Sequence, residues 1–259
     1  MSMHTGWLKF VLAIHLTLAS AAVAAAPPLN IYVGQGQMPF ADEQSGDHGL
    51  FGELMQVMCQ RLQRDCHFMV VPWKRAQVDI ARDPQGIMLN LGRIPEREDN
   101  FLWLLNVLPV NYVLASQEQT YDSLAAALDA GPVAVMGGTP RAQQLQAMKR
   151  AGQSLVEVTD PKQAARMLHG GRVSAWYEID ARIHYLWNEL EYSPARLRFS
   201  PSLGTSHTYI AGSPILADAS HIQQQMRQIY SDMRDDGSWE RILGRYLDES
   251  LVRKLLQHP

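Results

Sequence analysis

The chain has 259 residues, of which 46% are hydrophobic, and a formal net charge of −3 at pH 7. This composition is ordinary for a packed globular protein. A mildly acidic chain without a basic run argues against nucleic acid or an anionic membrane surface as a partner.

The first 26 residues predict a secretory signal. Lys9 is followed by a segment, residues 10–26, that is apolar apart from three residues and ends in small side chains. Ala22-Val23-Ala24 fits a cleavage site, and a charged start with a short apolar core is typical of export. The alternative is an uncleaved membrane anchor, for which this apolar run is short. We expect cleavage after Ala24 or Ala26.

Predicted strands and helices alternate along the rest of the chain. In residues 49–62, for example, apolar residues recur at three- and four-residue steps, which predicts a helix. The predicted strands are 29–33, 66–71, 87–89, 112–115, 133–136, 154–158, 173–177 and 209–212, and the predicted helices are 49–62, 73–81, 123–130, 141–151, 161–168, 180–190, 219–233 and 239–247. This alternation predicts α/β lobes with largely parallel sheets. The length suits one large domain or two lobes of about a hundred residues each.

Several catalytic motifs are absent from the sequence. It contains no G-x-S-x-G nucleophile elbow and no G-x-x-x-x-G-K-[ST] phosphate loop. Its nine histidines show no H-E-x-x-H motif and no clustered spacing, so we expect no metal site and no cofactor. Cys59 and Cys66 are too far apart for a CxxC redox pair.

The remaining motifs follow one order over nearly the whole chain after the signal. They are LNIYVG at 29–34, PF at 39–40, GLFGEL at 49–54, the two cysteines, IPER at 94–97, VAVMGGT at 133–139, GRVSAWY at 171–177 and DDGSWERILGRY at 235–246. This series resembles family 3 of the periplasmic solute-binding proteins, which deliver amino acids to ABC transporters. Within that family it is most similar to the histidine- and lysine/arginine/ornithine-binding proteins.

The resemblance implies a two-lobed α/β fold of the type II periplasmic-binding-protein kind. Lobe 1 would comprise residues 27–111 and 210–259, and lobe 2 residues 112–209. Two hinge strands near 110–113 and 208–210 would connect them, and closure of the lobes would bury a ligand between them.

Cys59 and Cys66 match the spacing of the disulfide in the basic-amino-acid binders. Cys59 lies in the predicted helix 49–62, and Cys66 begins the next predicted strand. An exported chain reaches an oxidising compartment. We therefore expect the two cysteines to be joined.

Two sites are predicted to bind a ligand carboxylate. Arg97 follows a turn made by Pro95, and its planar guanidinium suits a carboxylate bidentately. The family uses the matching arginine for this purpose, and a plain surface arginine is the alternative. Gly138 and Thr139 precede a predicted helix, whose N-terminus attracts anions. Thr139 is expected to be the N-cap, and the resemblance adds binding of the ligand carboxylate.

Four further residues are predicted to line the cleft. Trp73 follows a strand, and the matching family position carries an aromatic side chain that stacks on the ligand; a core tryptophan is the alternative. Arg75 either faces the cleft or pairs with a surface carboxylate. Asn90 and Gly92 belong to the same predicted wall, and Gly92 replaces a serine that helps bind the ligand in the family.

The partner for a ligand ammonium departs from the family pattern. The acidic position of the first lobe is Gly34, and an aromatic position is Gln37. The amine-binding aspartate would fall at Ile179, between Glu178 and Asp180. Since side chains alternate along a strand, at most one of these two faces the cleft. We favour Glu178, because Asp180 is well placed to cap the following helix.

The sequence thus predicts a periplasmic, monomeric protein that binds a small carboxylate-bearing solute, with an amino acid as the favoured ligand. Its partner would be an ABC permease in the inner membrane. Two alternatives stay open: a sensor that presents the ligand to a receptor, and an enzyme resembling cyclohexadienyl dehydratases, with Glu178 as acid or base.

Overall fold

The computed structural model describes residues 26–42 and 48–257. The predicted signal peptide, apart from its last residue, lies outside the described residues. The strands are β1 Leu29–Gly34, β2 Cys66–Val71, β3 Gly86–Gly92, β4 Leu102–Gln117, β5 Val133–Met136, β6 Leu155–Val158, β7 Ala175–Ile179, β8 Leu197–Phe199 and β9 Gly204–Gly212. The helices are α1 Gly49–Leu62, α2 Trp73–Asp79, α3 Leu124–Ala130, α4 Pro140–Met148, α5 Pro161–His169, α6 Asp180–Glu189, α7 Ala219–Asp235, α8 Ser238–Tyr246 and α9 Glu249–Gln257. Within these ranges no helix combines the length and the apolar character needed to cross a bilayer.

The strands form two parallel groups that are joined by a central antiparallel pair. The order across the sheet is β2-β1-β3-β9-β4-β7-β5-β6, and β8 pairs with β4. Strand β1 runs parallel to β2 and β3, and β5 runs parallel to β6 and β7. We call the half that is built on β1–β3 the first lobe and the half that is built on β5–β7 the second lobe. The predicted parallel pairing therefore holds within each lobe, whereas the centre is antiparallel.

The long strands β4 and β9 connect the lobes. They pair with each other over most of their length. Strand β9 pairs with β3 of the first lobe as far as Gly92↔Thr208, and β4 pairs with β7 of the second lobe from Tyr112↔Ile179 onward. Between these points, the segments 109–111 and 205–207 pair as strands only with each other among the described residues. They are the crossing points between the lobes, and the domain boundaries drawn from the sequence stay predictions.

Strand β4 is much longer than the predicted strand 112–115. Its sequence is an apolar run without regular alternation. It also contains Pro109, and a proline within a run argues against a central strand. In the structure Pro109 lies opposite His207, next to an irregularity in the pairing register. The short strand β8 and the terminal helix α9 were also not predicted.

The helix α1 shows how the sequence builds the first lobe. Three residues of its predicted apolar stripe, Leu50, Leu54 and Met58, are fully buried in the main core cluster, and Val57 is partly buried against that cluster. Cys59 on the same helix forms a disulfide with Cys66 at the start of β2, with Cα atoms 6.2 Å apart. The predicted disulfide is therefore confirmed, and it links α1 to the edge strand of the sheet.

Candidate ligand-binding cleft

Side chains from both lobes converge where the lobes meet. They enclose a cavity of about 20 Å³, lined among others by Trp73, Asn90, Arg97, Thr139, Arg141 and Arg182. Such a volume holds about one water molecule, so a larger solute enters this cavity only when its walls move apart. A groove of about 840 Å³ on the first lobe is larger. The cleft is nevertheless the stronger candidate, because three buried arginines meet there and both lobes contribute.

Arg97 lies in the 3-10 turn Pro95–Asn100 that follows β3. It is buried, and its guanidinium donates to the carbonyl oxygens of Gly92 and, across the cleft, Gly138, each at 2.9 Å. Burial lowers the pKa of Arg97 to about 10, so it stays protonated at neutral pH. A carboxylate is a stronger acceptor for a guanidinium than a backbone carbonyl. Arg97 is thus a buried cation whose two hydrogen-bond acceptors are both uncharged.

Trp73 begins α2 and is 6% exposed. Its indole Nε1 donates to the Gly138 carbonyl at 3.1 Å, so it also reaches the second lobe. Its ring lies against Gly34, where a Cβ atom would be 2.3 Å from Cε3 of the indole. With the ring in this position, a side chain at Gly34 would force the indole to move.

Gly138 and Thr139 lie at the turn from β5 into α4. Gly138 has φ +73, and a Cβ atom there would be 2.8 Å from Cγ of Lys74. The Thr139 hydroxyl accepts the N–H of Ala142 at 3.3 Å and donates to the Met136 carbonyl at 2.6 Å. Thr139 is the N-cap of α4, as expected, and it lies beside the cavity.

Glu178 on β7 is completely buried between two arginines. Its Oε1 lies 2.6 Å from Nη2 of Arg141 on α4 and 3.2 Å from Nη1 of Arg182 on α6. Its Oε2 and the Nε of Arg141 have no hydrogen-bond partner among the described residues. Glu178 lies behind the arginines rather than on the cavity wall. The structure thus gives it arginine partners, where the sequence predicted a partner for a ligand ammonium.

Arg182 bridges the two lobes. Its Nη2 donates to Oε1 of Gln37 at 2.8 Å, and its Nε donates to the carbonyl of Met38 at 3.1 Å. Burial, countered in part by Glu178, lowers the pKa of Arg182. Its guanidinium also lies over the ring of Phe40, 5.2 Å from the centroid, a favourable cation–π geometry. Arg182 therefore joins the second lobe to the loop after β1.

The cleft carries an excess of positive charge. Arg97, Arg141 and Arg182 line one cavity, and Glu178 is the carboxylate within ion-pair distance of them among the described residues. A buried charge without a partner is costly. An arrangement with two unbalanced guanidinium charges is suited to an anion from outside.

Two of the sequence predictions find their place away from the cavity. Arg75 is exposed and pairs with Asp79 at 3.0 Å. Its placement among the ligand-binding residues is therefore corrected, since it points along the surface of α2. Asp180 accepts the N–H of Ala181 at 2.7 Å and the side-chain amide of Asn111 at 3.2 Å. Asp180 is the first residue of α6, and the N-cap position is Ile179, which makes no side-chain cap, so the expected capping of the helix by Asp180 is corrected.

Sequence reasoning missed Arg141, Arg182 and Tyr112. The guanidinium of Arg141 lies over the Tyr112 ring, 4.9 Å from the centroid. A signal for one of them was present, because Glu178 and Arg182 are four residues apart, the spacing of an ion pair on a helix. That signal was hidden because Glu178 is the penultimate residue of a strand and Arg182 lies in the first turn of a helix.

No family model matches the chain, and no curated protein matches it. Solved structures do match. A histidine kinase sensor domain with similarity to periplasmic binding proteins is 13% identical over 85% of this chain and 96% of that chain, with a TM-score of 0.74. A substrate-binding protein of an ABC uptake transporter from Streptococcus pneumoniae, with bound histidine, is 11% identical over 85% and 92%, with a TM-score of 0.73. An ancestral amino-acid-binding protein that is a precursor of cyclohexadienyl dehydratase is 13% identical over 85% and 96%, with a TM-score of 0.72.

Likenesses at such low identity establish the fold. The chain has the two-lobed α/β fold of periplasmic-binding-protein-like proteins, as the resemblance implied. Those proteins include a binding protein, a sensor domain and a precursor of an enzyme, so the fold does not choose among the three functions.

Proposed function

We propose that this chain is a periplasmic solute-binding protein that holds a small carboxylate-bearing solute between its lobes. The observation that carries the proposal is the convergence of three buried guanidiniums on one cavity, with one carboxylate behind them. Each solute carboxylate offsets one of the two unbalanced positive charges. An amino acid belongs to this class, and the Oδ1 atom of Asn90, which has no hydrogen-bond partner within residues 26–42 and 48–257, is an acceptor for its ammonium group.

The contacts of the closed cleft suggest how binding and closure are coupled. When the lobes part, Arg97 loses the carbonyl of Gly138, and Arg182 loses Gln37 and Met38. A solute carboxylate then binds Arg97 in the open cleft. Closure brings Arg141 and Arg182 to the same solute, so the closed state is favoured by the differential contacts made in it. Lobe closure of this kind is a common response to a bound ligand.

A thermal-shift screen over amino acids and small organic acids tests the proposal. A ligand that binds the folded state raises the melting temperature. At a concentration a hundredfold above Kd, it adds about 2.7 kcal/mol to the free energy of unfolding. We expect carboxylate-bearing solutes to raise it and their amides or esters to have less effect. If no carboxylate stabilises the protein while an uncharged or cationic solute does, the proposed function is wrong.

Delivery to an ABC permease is part of the same proposal. Deletion of the gene should abolish uptake of the solute identified by the screen, and fractionation should find the protein in the periplasm as a monomer. Uptake that is unchanged, together with loss of a transcriptional response to the solute, would identify a sensor instead.

An enzyme on this fold is less well supported by the geometry. The proposed acid or base, Glu178, is fully buried and contacts Arg141 and Arg182 rather than the cavity. A group that transfers a proton has to come within hydrogen-bond reach of the substrate. We expect no turnover of arogenate or prephenate, and product formation from either would restore the enzyme hypothesis.

A further inference from the structure

We propose that the solute carries two acidic groups, one bound by Arg97 and the other by Arg141 and Arg182. This inference rests on the proposed function, because it specifies the solute of the same cleft. It separates dicarboxylate-type solutes from solutes with a single carboxylate.

The first step is the charge count at the cavity wall. Arg97, Arg141 and Arg182 are each at most 7% exposed. Glu178 offers one negative charge, and both second-lobe arginines approach the same oxygen, Oε1. A solute with one carboxylate would leave one guanidinium charge buried without compensation, which is unfavourable. With a solute that carries two acidic groups, the buried negative charges equal the three positive charges of the arginines.

The second step is the placement of the donors. Arg97 extends from the first lobe, after β3, whereas Arg141 and Arg182 belong to helices α4 and α6 of the second lobe. The two groups of cations therefore approach the cavity from opposite sides. A solute with an acidic group at each end would bridge them, and closure would be coupled to the presence of both groups.

The third step concerns hydrogen-bonding capacity. The Nε of Arg141 is buried and has no hydrogen-bond partner among the described residues. The guanidinium of Arg97 is satisfied by two neutral carbonyls, which a charged acceptor can replace. Both sides of the cavity thus have donors for a carboxylate. Asn90 Oδ1 is an acceptor for an ammonium group. An ammonium adds one positive charge to the cavity, so the charge count favours plain dicarboxylates over aminodicarboxylates.

Calorimetric titration with matched pairs tests the inference on the unmodified protein. The pairs are succinate with butyrate, glutarate with pentanoate, and L-glutamate with L-glutamine. In at least one pair we expect the dicarboxylate to bind at least tenfold more tightly than its partner. Equal affinity within all pairs, with measurable binding, would overturn the inference and leave the proposed function intact. If none of these solutes and no other carboxylate binds, the inference of two acidic groups and the proposed function are both wrong.

Single-centre dianions provide the second arm. Sulfate and phosphate carry their charge on one centre and therefore offer a single acidic group. Binding of either as tight as that of the best dicarboxylate would overturn the proposal of two separate groups. Weaker binding by at least tenfold supports it.

Two variants locate the groups. Arg141→Gln is expected to remove the difference between a dicarboxylate and its matched monocarboxylate, because it weakens binding of the dicarboxylate more than binding of the monocarboxylate. Arg97→Gln is expected to weaken both members of the pair. Circular dichroism verifies that each variant folds, and if Arg141→Gln does not, the ligand pairs on the unmodified protein decide the question alone. A folded Arg141→Gln variant that keeps the full difference would overturn the assignment.

Discussion

Two buried carboxylates of this protein differ in the number of positive charges that surround them. Glu53 on α1 is bound by Arg245 and by the hydroxyl of Tyr246 at 2.6 Å, both from α8, so one negative charge faces one positive charge. Glu178 in the cleft faces two arginines, with a third on the same cavity. The first arrangement is complete by itself and joins two helices. The second keeps positive charge in excess, and we attribute that excess to the binding of a solute.

The largest effect on stability is expected when the charge of the cleft carboxylate is removed. Glu178→Gln leaves buried arginines without their counter-charge and should lower the free energy of unfolding of the ligand-free protein by about 3–5 kcal/mol. Glu53→Gln is the matched control. It should cost less, because the Arg245 side chain is 62% exposed and water can solvate it. Urea unfolding followed by circular dichroism measures both values. A loss for Glu178→Gln no greater than that for Glu53→Gln would contradict the account of the cleft.

The arginine of the first lobe can be compared with its surface neighbour. Arg97→Gln should weaken binding of a carboxylate solute by about 2–5 kcal/mol, since it removes one partner of a buried charge pair. Arg93→Gln is the control, because Arg93 forms its ion pair with Glu98 at an exposed position. Calorimetry on both variants checks the difference. If the two variants bind equally well, Arg97 has no part in recognition.

The disulfide is expected to affect the stability of the protein but not the binding of the solute. Replacing Cys59 and Cys66 by serine should lower the free energy of unfolding by roughly 2–3 kcal/mol, as expected for a short loop in the chain-entropy model. Solute affinity should stay the same, because the bond links α1 to β2 in the first lobe. Denaturant unfolding and a binding titration on the same sample check both parts. Free thiols in the native protein would contradict the disulfide itself.

The pH dependence of binding sharpens the role of Arg97. Burial lowers its pKa to about 10, and an anionic solute binds the protonated form. Affinity should therefore be constant from pH 7 to 9 and fall above pH 10, by up to about tenfold per pH unit for one linked proton. Titrations of the unmodified protein and of Arg97→Gln provide the test. A fall of the same steepness in the variant would assign the titration to another group.

The smallest effect is expected at Arg75. Its ion pair with Asp79 spans one helical turn, and the Arg75 side chain is 70% exposed. Arg75→Gln should change stability by no more than about 0.5 kcal/mol and leave affinity unchanged. A clear loss of affinity would bring Arg75 back into the binding site.

The sequence predicted the periodic elements well and the site only in part. Helix α1 and strands β2 and β5 were predicted with their observed bounds, because their apolar patterns are regular and their ends are marked. Strand β4 was cut short because Pro109 interrupts its pattern. The first-lobe positions Trp73, Asn90, Gly92 and Arg97 lie at the cavity, as does Thr139.

The second-lobe arginines could not be identified from the sequence. Arg141 and Arg182 lie in different helices, and only the packing of α4 and α6 beside β7 places both against Glu178. Local spacing relates Glu178 to Arg182, four residues on, but it carries no information on Arg141, which comes from an element distant in sequence. The family pattern also directed attention to a ligand ammonium, whereas the charges of this cleft direct it to an anion.

Side-chain NMR of the arginines during a titration with the best-binding carboxylate tests the central claim most directly. The account predicts that the Nε–H signals of Arg97, Arg141 and Arg182 shift together and saturate with the stoichiometry of one bound solute, while that of Arg93 stays in place. Binding that leaves the three cleft signals unchanged and shifts exposed arginines instead would contradict it.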